Sequence, residues 1–296
     1  MVNNKKKREK FINNVISEIK NRDEAITLLV GNQKGGVGKT TNSCLIAYQL
    51  AKKGVKTLVA DLDPQSNATK ILVLTRDNIK DDAVTIKKTI YSGLKDGSLE
   101  DVPINIMDNL DLLPSHIDFK HFDKEVIRAT TDDDEAAHFL KPYFEPLKKK
   151  YDVIILDTPP FIETLNQNGI VMSDYVLISL QSQQLSLDGA VDFVNDTLRP
   201  LAYRNNLNIE VVGILPILVD EHNRADLTVL KQAREIFGEE NMFEHIIYQR
   251  DRIKRFPMVG ISEDSMYEQR VMQMYLEVTD ELIYRLGIFL GVDNNE

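Results

Sequence analysis

The feature that most limits how this 296-residue chain can fold is one unbroken stretch, "ITLLVGNQKGGVGKTTNSCLIAYQLAKK", running from Ile26 to Lys53. Its first six residues form an apolar run too short for a buried helix and read as a strand. Gly35, Gly36 and Gly38 read as a turn that needs unusual backbone freedom, and Leu45, Ile46 and Leu50 then recur at helical spacing. Strand, glycine-rich turn and helix in direct succession form the setting of a phosphate-binding loop. There, backbone N–H groups converge on phosphate oxygens and the helix N-terminus adds its positive dipole. Lys39 is placed to reach the β and γ oxygens of a nucleotide, and Thr40 offers a hydroxyl to Mg²⁺. Two details depart from the ordinary pattern G-x-x-x-x-G-K-[ST]: Gln33 stands where glycine is expected, and a second lysine, Lys34, lies inside the loop.

The rest of the chain continues the alternation. "KTLVAD" (56–61), "VIILD" (153–157), "YVLISL" (175–180) and "IEVVGILPI" (209–217) are apolar runs, each followed by a helical pattern. Strands separated by helices predict one α/β domain, a mostly parallel twisted sheet with helices on both faces. Residues 1–24 read as a basic amphipathic helical extension, with Phe11, Ile12, Val15, Ile16 and Ile19 on one face. They are too few for a helix-turn-helix module. Residues 25–296 read as the P-loop domain, with an irregular insertion at about 75–150 that carries acidic runs and a strand near 109–115. We see no repeat and no low-complexity segment.

Composition narrows the function classes. A net charge of −10 argues against a surface built wholly for nucleic acid, yet leaves room for a local basic patch. The single cysteine, Cys44, excludes an internal disulfide and a multi-cysteine metal site, and reads as a small apolar helix residue in a reducing cytoplasm. No apolar run approaches the ~18–20 residues of a membrane span, and the basic start is followed by an amphipathic segment rather than a signal-peptide core. The expected setting is soluble and cytoplasmic.

A nucleotide hydrolase also needs a metal-side acid and a group that positions water. Asp157 ends the apolar run 153–157, where parallel sheets place their ligands. Asp61 and Asp63, in "VADLDPQSNAT", end another strand on the same side of the chain. Asp63 reads as the residue that positions water and Asp61 as outer-shell support for the metal, against the alternative that Asp63 or Ser66 caps the next helix.

Together, "KGGVGKTT", "LVADLDPQSNAT" and "YDVIILDTPP" closely resemble the deviant Walker A, Walker A′ and Walker B motifs of the ParA/MinD group. The wording is most similar to ParA-type, Soj-like partition ATPases. The motifs span residues 32–160, and a weaker resemblance runs to about 260. It implies ATP and Mg²⁺ as ligands, with Lys34, Gly35, Gly36, Val37, Gly38, Lys39, Thr40 and Thr41 holding the nucleotide and Thr41 serving the α-phosphate. Thr40, Asp61 and Asp157 fall on the metal side, and Lys34, Lys39 and Asp63 are the implied catalytic residues. The lysine matching Lys34 reaches the nucleotide of a partner subunit, so the resemblance implies a homodimer with two ATPs sandwiched between protomers and Gly36 at the close approach. Gln33 agrees with this family.

Farther on, "GILPILVDEHNRADL" and "IIYQRDRIKRFPMVGIS" loosely resemble the family's "T-x-Y-D-x-R" and "P-R-N-V-R-L-S-E-A-P" regions, although Tyr248 and Gln249 replace Pro-Arg and Arg250 replaces Asn. They suggest Pro216 and Gln249 for the adenine. The resemblance further implies sequence-independent binding of double-stranded DNA, association with the nucleoid and a ParB-like centromere-binding adaptor. Arg250, Arg252, Lys254 and Arg255 carry the charge for phosphate contacts, with Arg224 and Lys231 able to extend it. The expected function is ATP-dependent plasmid partition. The alternative is a membrane-associated MinD-like ATPase, which would need a basic amphipathic C-terminal helix. Here "VTDELIYRLGIFLGVDNNE" has only Arg285 against Asp280 and Glu281 and ends acidic, so its apolar residues read as core packing or dimer contact. A nitrogenase-reductase-like role fails for lack of cysteines, and a bacterial tyrosine kinase would want a terminal tyrosine cluster.

Overall fold

The apolar runs pair into an eight-stranded sheet with the order β3-β4-β2-β5-β1-β6-β7-β8. The strands are β1 (Ile26–Gly31), β2 (Thr57–Asp61), β3 (Ile104–Met107), β4 (Leu110–Leu113), β5 (Val153–Asp157), β6 (Tyr175–Gln181), β7 (Glu210–Val219) and β8 (Ile247–Tyr248). The computed structural model describes residues 2–160 and 163–293, so Met1 and the last three residues of the acidic chain end lie outside the description. All pairings are parallel except β3 with β4.

The continuous apolar character of the central strands follows from burial on both faces. In β1, Ile26, Leu28 and Val30 join one core, with the helices Lys39–Lys52, Asn67–Lys80 and Met266–Phe289. Leu29 joins the opposite core, with the helices Lys141–Lys148, Glu163–Met172 and Gln184–Asp192. The same alternation divides Ile155 from Ile154 and Leu156 in β5. Period-two side-chain direction thus builds both layers from one run of residues.

The segment 75–150 supplies part of this same sheet. β4 lies parallel beside β2, and β3 returns antiparallel through a two-residue turn in which Asn109 takes φ 62°. Asparagine tolerates that left-handed conformation. The antiparallel edge strand β3 was outside the sequence reading because "INIM" is short and only Ile106 is fully buried.

The N-terminal helix covers Val2–Lys20. Phe11, Ile12, Val15 and Ile19 are buried and Ile16 is partly buried against the core, the face expected from the sequence. That face packs on the C-terminal helix Met266–Phe289, where Phe11 meets Tyr284 edge-on at 5.0 Å. A Cβ at Gly287 would stand 2.9 Å from the Phe11 ring and collide with Val15, so glycine is what permits this close crossing. In the C-terminal helix Val278, Leu282, Ile283 and Leu286 lie in the core, whereas Ile288 and Phe289 at its end are exposed. Among the described residues no helix is long and apolar enough to cross a membrane.

Candidate nucleotide site at the strand ends

Three neighbouring strands, β1, β5 and β2, end at one place, and each delivers an expected group there: the glycine loop, Asp157 and the pair Asp61 and Asp63. This is the carboxyl edge of a parallel sheet, where such folds bind ligands. The loop turns through Gly36 at φ 78° and Gly38 at φ 70°, both left-handed. A Cβ at Gly38 would run into Ile217 of β7, whereas one at Gly36 would meet open space. Gly38 is thus required by the close approach of the loop to β7, and Gly36 faces outward.

Asn32 fixes the start of the loop. It is 3% exposed, donates to the carbonyls of Ser179 at 2.8 Å and Ser186 at 3.2 Å, and accepts from the Lys34 N–H at 2.8 Å. Beyond it, the backbone N–H groups of residues 35–38 find no acceptor among the described residues. Unpaired converging donors at a helix N-terminus are what an anion requires.

Lys39 is buried, and its ammonium donates to the carbonyls of Asn32 at 2.9 Å and Lys34 at 3.3 Å. Desolvation pulls its pKa below the ordinary lysine value, opposed by the charges of Asp157 and Asp63. Lys34 is exposed and makes no ion pair among the described residues. Thr40 and Thr41 are half-buried on the first turn of the helix.

The three aspartates differ sharply. Asp157 is 1% exposed; its Oδ1 accepts from Ser43 at 3.3 Å, and its Oδ2 is buried without a hydrogen-bond partner. Burial raises its pKa to about 6, partly offset by Thr40, Lys39 and Ser43. Asp61 is fully buried, and burial followed by the charge of Asp157 raises its pKa to about 8. It accepts from Asp63 N–H at 3.1 Å, Thr69 N–H at 2.8 Å and the Thr69 hydroxyl at 2.7 Å. Thr69 is the third residue of the helix Asn67–Lys80, so Asp61 caps that helix from the strand end. The cap that the alternative reading assigned to Asp63 or Ser66 is therefore supplied by Asp61, whose two oxygens brace the turn. Ser66 occupies the N-cap position at φ 57° with no side-chain cap bond. Asp63 is 9% exposed and accepts from the Gln65 N–H at 2.8 Å, and burial raises its pKa.

No group of three or more His, Cys, Asp or Glu side chains is poised as a metal cage among the described residues. Mg²⁺ does not ask for one, because it takes one or two protein oxygens and completes its shell with phosphate and water. The unpartnered Asp157 Oδ2 beside Thr40 is a donor set of that kind.

The remaining predicted residues are less gathered. Pro216 is buried within β7, in register with Leu180, and does not line the groove in which Gln249 sits. Gln249 follows β8, which pairs with β7, and its N–H donates to the Val219 carbonyl at 3.0 Å, three residues beyond Pro216. The groove lies past the ends of β7 and β8, with Tyr248, Arg250, Arg252, Tyr267 and Arg270. Arg224, Arg250, Lys254 and Arg255 are exposed, whereas Arg252 is half-buried, 3.6 Å from Glu268 and stacked 5.7 Å from the Tyr267 ring. Lys231 lies 3.7 Å from Glu235. Missing from the sequence reading were Asn32, Asn42, Thr69, Ser179 and Tyr275, all buried and polar. A serine inside the apolar run "YVLISL" was the one available signal.

Fold and loop together define a P-loop nucleotide-binding protein of the doubly wound α/β type. The family model described as "AAA domain" matches residues 25–211. The chain is 30% identical over 262 residues to the chromosome-partitioning ATPase Soj of Treponema pallidum, covering 88% of this chain and 98% of that one. It is 31% identical to the chromosome partitioning protein ParA of Myxococcus xanthus, covering 79% and 78%. A solved plasmid partition protein from Borrelia burgdorferi superposes with a TM-score of 0.64 at 25% identity, over 86% of this chain and 97% of that one. The chain belongs to the ParA/MinD group of deviant Walker A ATPases, on its ParA (Soj) side.

Proposed function

We propose that the protein is an ATP-dependent DNA-partition ATPase whose nucleotide-closed homodimer binds duplex DNA without sequence preference. The observation that carries this reading is the convergence of Lys39, Asp157 and Asp63 on one glycine loop, which also holds a second lysine free at its surface.

Each residue has a defined task. The N–H groups of residues 35–38 cradle the phosphates, and Lys39, whose ammonium now donates to loop carbonyls, turns those hydrogen bonds to phosphate oxygens. Thr40 and Asp157 would hold Mg²⁺, with Asp61 bracing them from behind, and the ion would supply positive charge against the phosphates. Asp63 orients the attacking water, its raised pKa bringing it toward the range of a proton acceptor. Lys34 stabilises transition-state charge on the partner's nucleotide, the part an arginine finger plays elsewhere. Loss of the γ-phosphate weakens that contact and opens the dimer.

The exposed Arg224, Arg250, Lys254 and Arg255 contact DNA phosphates, with Arg252 holding the loop through Glu268 and Tyr267. A centromere-bound ParB-like adaptor stimulates hydrolysis and releases the protein, which otherwise resides on the nucleoid. The test is filter binding of random-sequence duplex DNA with and without ATP and Mg²⁺. Binding that needs ATP and weakens steeply with salt supports the reading; no binding with ATP at low salt removes it.

A further inference from the structure

A chain of three buried side chains runs from the C-terminal helix to the glycine loop. Tyr275, 1% exposed, donates its hydroxyl to Asn42 Oδ1 at 2.7 Å. Asn42, fully buried on the P-loop helix, donates its amide to Ser179 Oγ at 2.9 Å. Ser179, fully buried in β6, donates in turn to the carbonyl of Val37. Donor and acceptor roles are fixed along the whole path. Tyr275 can serve the Asn42 oxygen only as donor, so the Asn42 nitrogen faces Ser179. Ser179 then has its one proton left for Val37.

The last bond has a geometric consequence. In a trans peptide the C=O and the following N–H point in opposite directions, and the described chain has no cis peptide bond. Anchoring the Val37 carbonyl inward on Ser179 therefore aims the Gly38 N–H outward, into the concave side of the loop where a phosphate would sit. The next peptide is set the same way, its Gly38 carbonyl accepting from the Asn42 N–H at 2.8 Å. None of these three residues has been given a place in the chemistry above.

We infer that Tyr275, Asn42 and Ser179 are positioning residues for nucleotide binding: the relay holds the Val37–Gly38 peptide with its N–H toward the phosphates. This inference rests on the nucleotide reading of the loop. It makes the C-terminal helix, on which the N-terminal helix is docked, part of what pre-organises the loop.

The test compares Mg²⁺-ATP analogue affinity with thermal stability for the full chain and for Ser179→Ala, Ser179→Thr, Tyr275→Phe and Phe11→Ala. Loss of one aimed donor predicts about tenfold weaker binding for Ser179→Ala, a smaller loss for Tyr275→Phe, and recovery for Ser179→Thr, which restores the hydroxyl. KM should rise more than kcat falls. Phe11→Ala, which removes packing far from the loop, should lower Tm and leave affinity unchanged. Binding by Ser179→Ala within twofold of the wild type would overturn the inference and reduce the relay to core packing. If Ser179→Ala does not fold, Tyr275→Phe decides, because unchanged affinity there is equally contradictory. Failure of the wild-type chain to bind any nucleotide would overturn the nucleotide reading itself, and this inference with it.

Discussion

Asp61 and Asp157 are register partners on the adjacent parallel strands β2 and β5, both fully or almost fully buried, and burial drives both carboxyls upward in pKa, with the charge of Asp157 adding to the rise of Asp61 and that of Asp63 to the rise of Asp157. Two like charges side by side in a low-dielectric interior are unfavourable until a cation joins them. The ligand-free site is accordingly under electrostatic stress that a cation at the proposed site would relieve.

Replacing one of the two acids should therefore stabilise the empty protein while disabling it. Asp157→Asn is expected to raise the ligand-free unfolding free energy at pH 8 by about 0.5–2 kcal/mol, because the neighbouring charge on Asp61 loses its repulsion. ATP hydrolysis should fall to background. Urea denaturation beside a phosphate-release assay checks both; a destabilised variant would contradict the stress.

The sign of the pH effect follows. Asp61 is raised from 3.8 to about 8, so between those values the folded state binds more protons than the unfolded one. Stability contributed by this group is present below 3.8 and is lost as pH rises through about 8. Saturating Mg²⁺ and an ATP analogue should flatten that decline, which thermal melts across the range would show.

A second titrating pair lies at the base of the C-terminal helix. His245 Nδ1 stands 2.7 Å from the Glu281 carboxylate oxygen Oε2, and Glu281 also accepts from the N–H groups of Glu244 and His245 and from Arg285. The bond to Glu281 raises the His245 pKa above 6.5, against burial and the charge of Arg8 on the N-terminal helix and with the help of Glu277. A raised histidine stabilises fully below 6.5 and ceases to do so as pH climbs through its folded value. His245→Gln should remove that part of the pH dependence, and a pH-independent difference in Tm between the two proteins would count against it.

Packing of the N-terminal helix gives a purely mechanical prediction. Gly287→Ala places a methyl against Phe11 and Val15 and should cost about 1–3 kcal/mol in urea denaturation, as overpacking does. A neutral effect would mean that the helix docks less closely than the crossing at Gly287 requires.

Much of this architecture is legible in the sequence for physical reasons. Runs such as "VIILD" can be buried on both faces only in a covered parallel sheet, and the glycines of the loop admit few alternatives. The acids at 61, 63 and 157 were found because they end those runs. What escaped depends on tertiary register: that Asp61 caps the helix at Thr69 requires knowing where β2 ends relative to that helix. Likewise Tyr275 reaches Asn42 across more than two hundred residues of chain, which no local pattern encodes.

In the proposed dimer Lys34 acts on a partner's nucleotide while Lys39 serves its own. Sedimentation of the full chain with Mg²⁺ and a slowly hydrolysed ATP analogue tests it most directly, wild type against Lys34→Ala. The expected result is a nucleotide-dependent dimer for the wild type and a monomer for Lys34→Ala that still binds the analogue. A Lys34→Ala protein that dimerises as the wild type does would contradict it.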